Sequence, residues 1–125
     1  MKGILLLLLC LQEPAPLKVG IYAGDGAQRS SIDATMYALE GKFTVAEVQS
    51  KDDFNALDVL LFPGGSGSGL AKSLGPEGQA KVKAFLGKGK GVIGICAGAY
   101  LMLKDGGMPL VDGVLIDEEH WARGV

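Results

Sequence analysis

Cys96 stands between two glycines, in Gly94-Ile95-Cys96-Ala97-Gly98. A thiol held in a G-x-C-x-G frame is a nucleophile elbow if a strand enters it and a helix leaves it. The strained turn exposes the nucleophile, and only very small neighbours fit beside it. A helix beginning at Ala97 favours the thiolate through the positive end of its dipole. The N–H of Ala97 is also a donor for an oxyanion formed when sulfur attacks a carbonyl. The competing reading is a buried core thiol, a common use of cysteine.

The elements around Cys96 fit the elbow. Gly91-Val92-Ile93-Gly94-Ile95 reads as a buried parallel strand, and Gly98 to Leu103 as a helix face. Upstream, Leu17 to Ala23 reads as a first strand ending in the turn Gly24-Asp25-Gly26. Ser30-Ser31-Ile32-Asp33 offers an N-cap serine, with Ile32, Met36 and Leu39 on one helical face and Gly41 as the stop. Phe43 to Val48 is a second strand with imperfect alternation, and Asp58 to Phe62 a third, apolar from Val59 onward. The third ends in Pro63-Gly64-Gly65-Ser66-Gly67-Ser68-Gly69, where little side chain keeps a ligand from the backbone. Pro76 then opens a helix carrying Val82, Phe85 and Leu86, and Gly87 ends it. Beyond the elbow helix, Asp105-Gly106-Gly107 is a turn, and Val111 to Ile116 is expected to form a strand or hairpin.

Strands alternating with helices predict an α/β fold, a flavodoxin-like three-layer sandwich with a mostly parallel sheet. With strand order 2-1-3-4, the carboxyl ends of strands one, three and four share one edge, where ligands bind. Gly24-Asp25-Gly26, Pro63-Gly64-Gly65 and Cys96 then converge. Asp25 is either a pocket residue there or simply a turn residue.

At 125 residues, 48% hydrophobic and with 20 glycines, the chain is one globular domain with many tight turns. A net charge of −2 without a Lys/Arg cluster argues against nucleic acid as a partner. One histidine and no paired cysteines argue against a metal site, and no cofactor is expected. Gly89-Lys90-Gly91-Val92-Ile93-Gly94 spells G-x-G-x-x-G, but it enters a strand where the dinucleotide fingerprint leaves one. The Gly64 to Ser73 stretch has two residues between glycine and lysine where a phosphate loop has none.

Met1-Lys2 leads into an apolar run from Ile4 to Leu11, broken by Gln12-Glu13-Pro14-Ala15-Pro16. Residues 1–16 therefore carry the pattern of a secretory signal peptide and leader, too short to span a membrane, ahead of a domain over 17–125. Export to the periplasm or the extracellular space is the expectation, with no stable membrane span in the mature form. The alternative is a cytoplasmic protein that keeps an apolar N-terminal segment. Removal of the leader takes Cys10 with it and leaves Cys96 without a disulfide partner.

Pro63-Gly64-Gly65 after the third strand, together with Gly94-Ile95-Cys96-Ala97-Gly98-Ala99-Tyr100, resembles the class I glutamine amidotransferase-like superfamily. Ile21-Tyr22-Ala23-Gly24-Asp25-Gly26 and Ile95 to Tyr100 look most like the N-terminal domain of the biotin–protein ligase type. The resemblance runs over about residues 17 to 104. It implies Cys96 as nucleophile and oxyanion donors at Gly64, Gly65 and Ala97. A neighbouring branch of proteases and deglycases carries histidine directly after the cysteine, where this chain has Ala97. Amidotransferases of this class take their base from a histidine in a His-Pro-Glu-like motif well beyond the elbow. The only histidine here, His120, lies between Glu119 and Trp121 and departs from that motif. It is either a base that meets Cys96 in space or a surface residue on an acidic turn. The chain is correspondingly either a shortened member without its base or a fragment.

Two functions from different classes follow. In one, Cys96 attacks an amide or related carbonyl and forms a thioester. In the other, the domain binds a small ligand or a partner without catalysis, using only the glycine loops. A readily oxidised regulatory thiol is a third reading.

Overall fold

The computed structural model describes residues 14–116. Within them, β1 (Lys18–Tyr22), β2 (Thr44–Val48), β3 (Val59–Phe62) and β4 (Gly91–Gly94) form one sheet of order β2-β1-β3-β4. Every neighbouring pair is parallel, with Lys18 opposite Thr44, Val19 opposite Val59 and Leu60 opposite Val92. The expected 2-1-3-4 order is the observed one.

Period-2 alternation sends each central strand to two cores. Val19, Ile21 and Leu61 face one side, where helix α1 (Arg29–Leu39) covers them with Ile32, Met36 and Leu39. Tyr22, Leu60 and Phe62 face the other, beneath α2 (Gly67–Gly87) and α3 (Ala97–Leu101). Both faces of β1 and β3 are thus buried, which is why these strands read as continuous apolar runs. Each fully buried side chain of this size contributes roughly 1.5–3 kcal/mol. The result is the expected α/β/α sandwich of flavodoxin-like form.

Three local expectations are corrected. First, α2 begins at Gly67, well before Pro76. The glycine-rich stretch is helical because Ser66 caps it, its Oγ accepting the Gly69 N–H at 3.1 Å, and because Leu70 and Leu74 fill the core. Gly75 then breaks the helix at φ 62, ψ 178, and Pro76 opens its second half. Second, α1 starts at Arg29 with Gln28 at its N-cap and no side-chain cap, so neither serine caps it. Third, Val111 to Ile116 forms no strand. The loop instead folds back on the end of α3, where the Leu110 N–H donates to the Met102 carbonyl at 2.9 Å and the Lys104 N–H to that of Gly113 at 2.9 Å.

Candidate functional site

The elbow is built as the residue types require. The Ile95 N–H donates to the Phe62 carbonyl at 2.9 Å, which carries the β3–β4 pairing one residue past Gly94. Cys96 follows at φ 54, ψ −116, the single non-glycine residue with positive φ among those described. The Ala99 and Tyr100 N–H groups then donate to the Cys96 carbonyl at 2.9 and 3.0 Å, so the helix begins at once. Its tightness depends on the flanking glycines. A Cβ on Gly94 would press on the Gly98 carbonyl, and one on Gly98 would collide with the carbonyl of Phe62.

Cys96 is exposed, which removes the core-thiol reading. Its neighbourhood is a depression of ≈ 380 Å³ lined by Ala99, Tyr100, Leu103 and Leu115. α3 runs only five residues, shorter than expected, so little dipole accumulates along it. The electrostatic asset at the sulfur is local. Among the described residues, no acceptor is bonded to the Ala97 N–H at the first helical position.

The loops meet where the topology places them. The β1–α1 and β3–α2 loops are joined by a short antiparallel bridge, with the Ser66 N–H donating to Gly26 O at 2.8 Å and the Gln28 N–H to Gly64 O at 2.9 Å. Gly65 there has φ 146, and a side chain on it would collide with the Gly26 carbonyl. A Cβ on Gly64 would stand 3.5 Å from Cys96 Cβ, so the glycine loop and the thiol are adjacent. The Gly64 N–H itself donates to Ser31 Oγ at 2.9 Å. Sequence reasoning missed Ser31, having set the helix cap at Ser30; the contact joins residues 33 apart and left no local signal.

Asp25 is placed differently. It lines a separate depression of ≈ 220 Å³ with Tyr22, Gln49, Ser50 and Ser73, which does not include Cys96. His120 lies outside the described residues.

The family model described as "Biotin-protein ligase, N terminal" matches residues 17–105. The chain belongs to this family. It also falls within the class I glutamine amidotransferase-like superfamily. It is 31% identical over 94 residues to the pyridoxal 5'-phosphate synthase subunit PdxT of Methanosarcina mazei, covering 72% of this chain and 47% of that protein. The same subunit from Listeria monocytogenes is 33% identical over 90 residues, 70% of this chain and 46% of the relative. That of Nitrosopumilus maritimus is 36% identical over 89 residues, 68% and 43%. The chain thus spans about half the length of the curated relatives it matches. A chain in the structure of PurLQS from Thermotoga maritima superposes with a TM-score of 0.67 at 19% identity, covering 80% of this chain and 48% of that one, a likeness of fold.

Proposed function

We propose that this glutamine amidotransferase-like domain uses Cys96 as the nucleophile of an amide-cleaving reaction. The observation that carries the reading is an exposed cysteine held at φ 54 between a strand and a helix, a conformation the surrounding structure has to enforce. Sγ attacks the carbonyl carbon, and the carbonyl electron pair moves to oxygen. Collapse of that oxyanion expels the nitrogen, which takes up a proton, and leaves a thioester. Water then cleaves the thioester to a carboxylate and restores the thiol. Gly65 and Ala97 are the oxyanion donors, and His120 is the candidate base. Glutamine, the amide in the superfamily's name, is the substrate proposed. The naming of the PdxT relatives as synthase subunits supports a partner that takes up the released ammonia.

The test is acylation of the full chain by γ-glutamyl p-nitroanilide, followed as p-nitroaniline release and as an acyl mass on the Cys96 peptide. Loss of both in Cys96→Ser is the expected result. A wild-type chain that alkylates at Cys96 but never acylates would leave a ligand- or partner-binding domain with an elbow that no longer catalyses. Residues 1–16 belong to the same proposal as an export leader, and N-terminal sequencing of the secreted protein tests that.

A further inference from the structure

One of the three amides that the sequence offers to an oxyanion is already engaged. The Gly64 N–H donates to Ser31 Oγ at 2.9 Å, although the two residues are 33 apart in the chain. The carbonyl of the same residue accepts the Gln28 N–H at 2.9 Å. Both peptide planes that meet at Gly64 are therefore pinned by the first turn of α1 and the loop before it. A trans peptide directs its N–H opposite to its C=O. With Gly64 O turned to Gln28, the Gly65 N–H in that plane points away from Gln28, and no described residue accepts it. Ser31 and Cys96 both border Gly64. A Cβ on Gly64 would lie 3.2 Å from Ser31 Oγ and 3.5 Å from Cys96 Cβ.

We propose that Ser31 is the positioning residue of the oxyanion site. Its hydroxyl occupies the Gly64 N–H and locks the Pro63–Gly64 peptide plane, so that the Gly65 and Ala97 amides are the pair left to receive the oxygen. Without the hydroxyl, the Gly64 N–H loses its acceptor, and the loop that presents the Gly65 N–H is held at Gly64 by the Gln28 bond alone. The donor pair then loses its preorganisation, which is what makes such donors effective. Ser31 does not touch the substrate in this scheme; it acts through the glycine loop. The proposal rests on the nucleophile reading above.

Two reactions of one sulfur separate a positioning role from a structural one. Acylation by γ-glutamyl p-nitroanilide builds an oxyanion, whereas displacement of iodide from iodoacetamide occurs at a saturated carbon and builds none. Both rates are measured on the full chain at the Cys96 peptide, which mass mapping distinguishes from Cys10. In Ser31→Ala, acylation is expected to fall about tenfold, the scale of one misplaced donor, with the alkylation rate unchanged. Ser31→Thr, which keeps the hydroxyl, is expected to restore acylation. An unchanged acylation rate in Ser31→Ala overturns the proposal while leaving Cys96 as nucleophile. An equal fall in both rates also overturns it, because Ser31 then only supports the loop. A wild-type chain that alkylates but does not acylate defeats the nucleophile reading itself, and this proposal with it.

Discussion

A Cβ placed on Gly94 would lie 2.5 Å from the carbonyl oxygen of Gly98. That gap ties the last residue of β4 to the second residue of α3 and sets how sharply the chain turns at Cys96. Gly94→Ala is expected to destabilise the domain by about 1–3 kcal/mol, the usual range for overpacking, because the obstacle is backbone that cannot swing aside. Urea unfolding measures it, and an unchanged midpoint would mean the elbow opens at little cost.

Cys96 itself offers a trade between stability and chemistry. Cys96→Gly relieves the positive φ and is expected to raise stability by about 1 kcal/mol while ending all thiol reactivity. Cys96→Ala keeps the backbone penalty and removes an exposed side chain, so its stability should stay within about 0.5 kcal/mol of wild type. Equal behaviour of the two variants in thermal melts would argue against stored strain at this position.

Tyr22 is fully buried, and its hydroxyl pairs with Ser73 Oγ at 2.7 Å. Tyr22→Phe keeps the ring against Phe62, at a centroid separation of 5.2 Å, and removes only the hydroxyl. A loss of about 1 kcal/mol in chemical denaturation is the expected outcome, since Ser73 retains its bond to the Leu70 carbonyl. A loss several times larger would show that the bond joining β1 to α2 carries more than an ordinary pair.

Two glycines of α2 should respond with opposite signs. Gly75 sits at φ 62, ψ 178, a region essentially reserved for glycine, so Gly75→Ala is expected to lose about 1–3 kcal/mol even though the space around it is open. Gly87 ends the helix without positive φ and is equally open, so Gly87→Ala is expected to gain about 0.4–1 kcal/mol. Differential scanning calorimetry of the pair decides it, and losses in both would point to crowding rather than backbone preference.

Arg29 pairs with Asp33 on its own helix at 2.8 Å and links α1 to β2 through Glu47 at 2.5 Å. Hydrogen bonds to Asp33 and then Glu47 raise its pKa above the ordinary arginine value. A raised folded-state pKa contributes stability that is fully present below the unfolded value and fades only as pH climbs past it. The window for Arg29 therefore lies in strong alkali. Between about pH 6 and about pH 9, the difference between wild type and Arg29→Gln should be flat with pH, small because the pair is exposed, and smaller still in salt. A slope across that range would mean some other titrating group depends on Arg29.

The sequence alone determined the elements that local pattern dictates. The double-sided burial of β1 and β3 is written in Val19, Ile21, Leu60 and Phe62, since a strand covered on both faces has no polar alternation to show. The elbow was legible because strand, cysteine, helix and both glycines are contiguous, so the whole signal lies within one short stretch. Parallel topology then brought Pro63-Gly64-Gly65 beside Cys96, as strand order requires. Tertiary structure decided what depends on contacts distant in the chain. Gly67 to Leu74 looks like a loop by composition, and it is a helix because Leu70 and Leu74 find a core. Asp25 belongs to the expected sheet edge but lines a different depression, because order along an edge does not fix which way a loop opens. Ser31 is one of two adjacent serines in sequence, and only the approach of the β3–α2 loop gives its hydroxyl the Gly64 N–H to hold.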